Sequence, residues 1–473
     1  MWLLCGASLM ITLDGTIVTV ALPTIQRSLG FSAANLSWVM NAYLLAFGSL
    51  LLLAGRLGDL SGRKRMFGCG LAVFTAASLV CGLATSPAML IAARFAQGIG
   101  GAMVSAVSLG MIVTLFPEPR EQAKAIGAFS FVGAAGASIG LVLGGVLTET
   151  VGWHWIFFVN VPIGLMAGLL SVKVLDTDRR TTPRHGADWL GAGLATAGLM
   201  LGVDAISGTA PYGWSSSHTL VTAVLAIGLL AAFVTREATA RMPLLPLRVF
   251  SARNVTGANL AQLLVIGAAF GFQVIVTLFM QRVLGDSAAA SGLGLLPTAA
   301  VIGTVSLGFS ARIAARFGQR AMLLAGLLLI AVALVLLAGM PMRGGYLAHL
   351  LGPLVLFGAG GGLTLPALAS LGMSGATQTD AGLASGLFNT TQQIGAALGV
   401  AVLSTLAASR TARLQVAGFD NAAALTSGYR LAFATGAGLV VAAFIVATVL
   451  LRGTRSAPEW SNVTDAVTDD ARV

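Results

Sequence analysis

The chain has 473 residues, 56% of them hydrophobic and only 9% charged, and its mean hydropathy is +0.89. Soluble domains carry about 25% charged residues, so an ordinary soluble enzyme, a disordered chain and a disulfide-knit secreted domain are all excluded. The net charge of +10 invites a nucleic-acid partner, but the placement of the Lys and Arg residues points to membrane orientation instead.

Apolar runs of about 20 residues, the length a helix needs to cross hydrocarbon, fall near 1–23, 36–55, 67–85, 88–116, 125–148, 155–172, 189–206, 219–235, 256–280, 290–311, 321–341, 346–371, 381–406 and 430–451. They give an all-α integral membrane bundle of about 14 spans. The first run lacks the basic start of a signal peptide and carries Asp14 in its middle, so it reads as a retained helix. The longest gaps and the tail 452–473 are each about 20 residues, too short for a folded soluble domain.

An even number of spans puts both termini on one side. The loops on that side carry about 20 basic residues and the opposite loops about 6, namely Arg27, Arg282, Arg343, Arg410, Arg413 and Arg430. Both termini are therefore expected in the cytoplasm, with the protein in the plasma (inner) membrane. The chain also repeats itself. RLGDLSGRKRMFGCGL from Arg56 and RIAARFGQRAMLLAGL from Arg312 align without gaps, pairing Gly62 with Gly318 and Gly70 with Gly326. Two related halves around a central pathway are a common plan of secondary transporters.

Lys64, Lys124 and Lys173 are the chain's lysines, and none ends a phosphate-cradling glycine loop. Any pumping is expected to draw on an ion gradient or on a separate ATPase subunit, with no cofactor. The sequence GASIG from Gly136 matches a nucleophile-elbow pattern but lies within a span with no strand before it. His154, His185, His218 and His349 lack metal-ligand spacing.

Asp14 is the one acid deep in a span. An isolated carboxylate in hydrocarbon costs several kcal/mol, so it should face the bundle interior or a wet cavity. Burial disfavours its charge, whereas a nearby cation or ligand favours it, so it is a group that can exchange a proton for a substrate. Arg94 is the other deep charge, and counting along the helices puts both in the same half of the bilayer. The two are therefore placed to meet. Asp204 sits near a span end and is expected to reach water. Asn41, Gln97, Gln262, Gln273, Asn389, Gln392 and Gln393 are amides assigned to a substrate cavity, although amides also tie helices together.

These residues resemble the major facilitator superfamily, in particular its fourteen-span drug:proton antiporter family. The resemblance rests on LDGTIVTVALP from Leu13, GRLGDLSGRKR from Gly55, RFAQGIGG from Arg94, WHWIFFVNVPIG from Trp153, DWLG from Asp188, GLGLLP from Gly292 and AGLASGLFNTTQQIGAALG from Ala381. It implies two six-helix bundles, residues 1–172 and 256–451, with two inserted helices in 173–255 and a cytoplasmic tail, 452–473. It implies alternating access and drug:H+ antiport, with Asp14 and Arg94 as the proton-coupling pair. It also implies a cytoplasmic latch of Gly55, Gly58, Asp59, Gly62 and Arg63, and a fifth-helix packing motif of Gly136, Gly140, Gly144 and Gly145. That motif here has Ala137 and Leu141 where the family usually has proline, so the helix should be less kinked. Uptake by the same fold and a non-transporting sensor are the alternative readings. With Asp14 as the single deep acid, the expected substrate is hydrophobic and neutral or singly cationic, handled by a monomer.

Overall fold

A computed structural model describes residues 2–32, 35–115, 139–174, 188–240, 252–341, 345–373 and 381–451, together with 118, 132, 136, 243 and 244. Every element among them is helical: α1 (Trp2–Leu29), α2 (Trp38–Ser61), α3 (Arg63–Gly82), α4 (Pro87–Leu115), α5 (Ile139–Thr150), α6 (Asn160–Val174), α7 (Trp189–Tyr212), α8 (Ser217–Thr239), α9 (Arg253–Arg282), α10 (Ala288–Phe317), α11 (Gln319–Ala338), α12 (Tyr346–Gly372), α13 (Ala381–Val416) and α14 (Asn421–Leu450). Twelve of these are long and apolar enough to cross a membrane. The two shorter ones are α5 and the stretch Trp155–Ser171, which holds a brief helical turn and most of α6.

Helices α1–α4 and α6 pack against one another, with α4 seated on both α2 and α3, and α5 lies against α1 through Gly140 and Gly144. In the second half α9 packs on α13 and α14, and α11 on α12 and α14. The two halves meet where α2 lies along α13 and where α1 meets α9. The hairpin of α7 and α8 rests on that seam through α7, which touches both α2 and α13. Thr196 of α7 donates to the Ser49 hydroxyl of α2 at 2.9 Å. Most of α8 is exposed, which suits a helix facing lipid.

The internal repeat is visible as a repeated turn. Gly62 (φ 98°, ψ 132°) joins α2 to α3, and Gly318 (φ 82°, ψ 158°) joins α10 to α11. Only glycine adopts that region without strain. Past each turn, the aligned glycines Gly70 and Gly326 meet the next helix: a Cβ on Gly100 would lie 2.8 Å from the Gly70 carbonyl oxygen, and one on Gly360 2.6 Å from that of Gly326. Corresponding helix pairs thus pack alike, backbone against backbone.

The hydropathy reading cut several helices short. The gap expected at 407–429 is mostly helix: α13 continues to Val416, and Asp420 caps α14 by accepting from the Ala422 amide at 3.1 Å. A hydropathy window ends where polar residues begin, whereas an Ala- and Arg-rich segment keeps its helix propensity. α7 also outlasts its apolar run, continuing through Gly208 and Pro211 to Tyr212, which leaves Asp204 well inside the helix, half-exposed and 3.5 Å from His218 of α8.

Candidate functional site

Asp14 lies midway along α1 and is wholly buried. Its nearest partner is Arg94 of α4, also buried, whose Nη1 donates to Asp14 Oδ2 at 2.5 Å. The other oxygen, Oδ1, accepts from Gln97 Nε2 and from Asn160 Nδ2, each at 2.8 Å. Arg94 Nη1 also donates to Gln97 Oε1 at 2.7 Å, and its Nε to the Val39 carbonyl of α2 at 3.0 Å. The Tyr43 ring lies 4.4 Å from the guanidinium carbon, close enough for a cation–π contact. Gln97 Nε2 reaches Ser78 of α3 at 2.6 Å.

A carboxylate taken from water without partners is costly, and this one is met by charged and neutral donors from α4 and α6. Gln97 is one turn after Arg94 on α4, so both point to α1 together. Protonating Asp14 would remove Arg94's counter-charge and leave a buried guanidinium without it.

The glycine motifs set how closely these helices approach. Gly136, Gly140 and Gly144 recur every fourth residue and face the Leu9, Leu13 and Ile17 stretch of α1, on either side of Asp14. A Cβ on Gly140 would lie 2.9 Å from the Leu13 carbonyl oxygen. The adjacent Gly145 faces α10 instead, 2.6 Å from the Ala288 carbonyl oxygen on the same measure. The fifth-helix motif therefore braces the Asp14 helix on one side and the second half on the other. Ala137 is outside the described residues.

Among the latch residues, Gly55 and Gly58 face Ala106 and Val107 of α4, and Gly62 makes the turn into α3. Arg63 opens α3 and is half-buried; the Asp59 side chain is outside the described residues. Of the cavity amides, Gln97 belongs to the Asp14 cluster. Asn41 is fully buried with neither polar side-chain atom hydrogen-bonded, and Gln262 is buried with Oε1 unpaired. Gln273, Gln392 and Gln393 are half-buried and Asn389 is exposed. Gln393 meets Gly48 of α2 across the seam.

A cavity of about 410 Å³ opens between the two halves. It is lined from α1, the α1–α2 connection, α9, α13 and α14, and none of the seven amides lines it. Three members of the Asp14 cluster escaped sequence reading. Asn160 lies within the motif from Trp153, where the asparagine just ahead of Pro162 was an available signal. Ser78 and Tyr43 are ordinary span residues whose role exists only once α2, α3 and α4 are packed.

Asp188, the acid of the DWLG motif, sits outside the spans and pins the hairpin. It accepts from the Gly191 amide at 2.9 Å and pairs with Arg236 at 3.1 Å. Burial pushes its carboxyl up, but the hydrogen bonds from Arg236 and Gly191 outweigh this and hold it below the usual carboxylate range.

The chain matches the Major Facilitator Superfamily over residues 4–400. It is 41% identical over 460 residues to the cephamycin export protein of Amycolatopsis lactamdurans, covering 96% of this chain and 93% of that protein. It is 37% identical to the puromycin resistance protein of Streptomyces alboniger (94% and 90% covered) and 34% identical to the tetracenomycin C resistance and export protein of Streptomyces glaucescens (85% and 74%). Among solved structures, an auto-inhibited POT family peptide transporter superposes with a TM-score of 0.70 at 15% identity, covering 96% of this chain and 98% of that one. An inward-facing, unoccupied bacterial homologue of the lysosomal transporter Spinster gives 0.66 at 17% identity, covering 96% and 98%. With an all-helical membrane fold and a family match over most of its length, this chain belongs to the Major Facilitator Superfamily and is a membrane transporter, not an enzyme.

Proposed function

We propose that the protein exports hydrophobic small molecules, antibiotics among them, in exchange for protons by alternating access of two six-helix bundles. The observation that carries the coupling is the buried Asp14–Arg94 pair, the deepest ionisable cluster described, shared by α1, α4 and α6. Export is supported by what the similar proteins are named for, and the antibiotics in those names are the first candidate substrates. The same reading takes the working unit as a monomer in the plasma membrane, both termini cytoplasmic, with fourteen spans divided as 1–172, 173–255 and 256–451. It uses the proton gradient and no cofactor. Gly55, Gly58, Asp59, Gly62 and Arg63 act as the cytoplasmic latch. Gln262, Gln273, Asn389, Gln392 and Gln393, with Asn41, lie off the cavity of the arrangement described and supply polar wall to the substrate path in the other arrangement of the bundles.

The neutral substrate class fits the cluster better than the cationic one. Asp14 already has a guanidinium at 2.5 Å, so an arriving cation meets a neutralised pair instead of a bare carboxylate. In this scheme a proton on Asp14 loosens Arg94 and shifts the balance between two bundle arrangements, and substrate binding favours the arrangement that returns the proton.

Gradient-driven transport of puromycin into everted membrane vesicles tests this. Asp14→Asn should abolish it, while Asp14→Glu, which keeps a titratable carboxyl, should retain part. Undiminished transport by Asp14→Asn, at equal protein in the membrane, would end the role of Asp14.

A further inference from the structure

The cavity between the bundles has one charged lining residue, and it is a cation. Arg282 closes α9 at one end of the cavity, and no carboxylate is among the lining residues. Arg282 donates to Gln26 Oε1 of α1 and forms no ion pair among the described residues. Tyr429 of α14 lies within its electrostatic reach. That tyrosine is only 3% exposed, and its hydroxyl lies within hydrogen-bonding reach of the Arg282 guanidinium. The Ser404 hydroxyl of α13, on the same lining, is buried and unpaired. Leu22, Leu36, Val274, Leu278 and Leu425 supply apolar wall.

An unsatisfied buried hydroxyl on the wall of a cavity whose one charge is a guanidinium is expensive unless a ligand completes it. All three groups can donate, and a guanidinium with hydroxyl donors suits an oxygen anion, since charge-assisted hydrogen bonds are roughly twice as strong as neutral ones. The volume of about 410 Å³ falls in the range of small-molecule sites. Leu22 lies eight residues beyond Asp14 on the same helix, so an occupant touches the helix that carries the proton site.

We propose that this cavity is a substrate subsite that recognises a hydrophobic molecule by an oxygen anion, a carboxylate or enolate, held by Arg282, Tyr429 and Ser404. The proposal rests on the export reading and narrows its substrate class: the scaffold is apolar, and its recognised group is an acid instead of an amine. A purely neutral substrate would use the same walls without the charged contact.

The test uses the purified full chain in phosphatidylcholine nanodiscs near neutral pH, with three fluorescent probes on one scaffold: 1-pyrenebutyric acid, its methyl ester and 1-pyrenebutylamine. The acid should bind about tenfold more tightly than the ester or amine. Arg282→Gln should remove that preference and leave ester binding unchanged, and Arg282→Lys should restore part of it. Tyr429→Phe, which deletes one hydroxyl and keeps the ring, should weaken the acid about threefold, within the range for a lost hydrogen bond. Equal binding of all three probes, or an acid preference that survives Arg282→Gln, would overturn the subsite. So would displacement of the bound acid when phosphatidylglycerol is added to the nanodiscs, which would mark the site as one for a lipid headgroup. Gradient-driven uptake of the acid and the ester into matched everted vesicles separates the two readings: uptake without acid preference in binding removes only the subsite, whereas absent uptake of both with acid preference intact removes the export reading.

Discussion

Asp14 and Arg94 are each tolerable in the membrane interior because of the other. Deleting one partner of a buried ion pair leaves an uncompensated charge and costs about 3–5 kcal/mol, while deleting both is often close to neutral. Asp14→Asn strands the Arg94 guanidinium beside Tyr43 and Val39, so it should lower the thermal unfolding midpoint of the detergent-solubilised protein. Asp14→Asn combined with Arg94→Gln should recover most of that loss and still fail to couple transport to protons. If the two losses simply add, the pair is not the unit that holds α1 to α4. The comparison also shows whether lost transport in the single variant reflects lost coupling or lost fold. Asp14 and Arg94 were legible in the sequence because charges within apolar runs are conspicuous. Asn160, Ser78 and Tyr43 were not, because an uncharged side chain in a span gives no sign of which carboxylate it will meet.

At the level of helices and turns, glycine does two separable jobs. At Gly318 the requirement is conformational. Its φ is 82°, and an added Cβ would meet nothing within 4 Å. Gly318→Ala should therefore cost about 1–3 kcal/mol through backbone strain alone. Gly345, with φ of −72° and equally open space, is the control, and Gly345→Ala should leave the midpoint unchanged. Equal effects at the two sites would show that the turn between α10 and α11 does not depend on its left-handed backbone. At Gly267 and Gly399 the requirement is spatial. These two bring α9 and α13 into backbone contact, with no room for a side chain between them. The turn glycines were recognisable as a repeat, whereas the α9–α13 contact joins positions far apart in a chain of 60 glycines.

Across the whole molecule the two halves touch at more than one place. Gln281 of α9 donates to the Val20 carbonyl of α1 at 2.9 Å, and Glu149 accepts from the Ala289 amide of α10 at 3.2 Å. Along α2 and α13 a Cβ on Gly48 would lie 2.6 Å from that of Gln393. The proposed rocking of one bundle against the other would break some of these contacts in each half-cycle. Gly48→Val places a branched side chain in the α2–α13 seam and should slow gradient-driven transport about tenfold, equivalent to ~1.4 kcal/mol on the barrier, while substrate binding in detergent is retained. Unchanged transport in that variant would show that this seam need not close during the cycle.

The sequence alone determined the membrane class, the positions of most helices, the internal repeat and the two deep charges. Each is written locally, as runs of apolar residues near 20 long, as aligned turns, or as a charge where charge is costly. Helix ends were less legible, since α7, α13 and α14 extend through polar residues that end a hydropathy run without ending a helix. Tertiary structure decided which side chains meet. It joined Asp14 to Asn160 across 146 positions, placed Gln97 beside the carboxylate, and lined a cavity with Arg282, Ser404 and Tyr429 from three helices. Such meetings depend on helix rotation and crossing, which close glycine contacts set and which no single segment encodes.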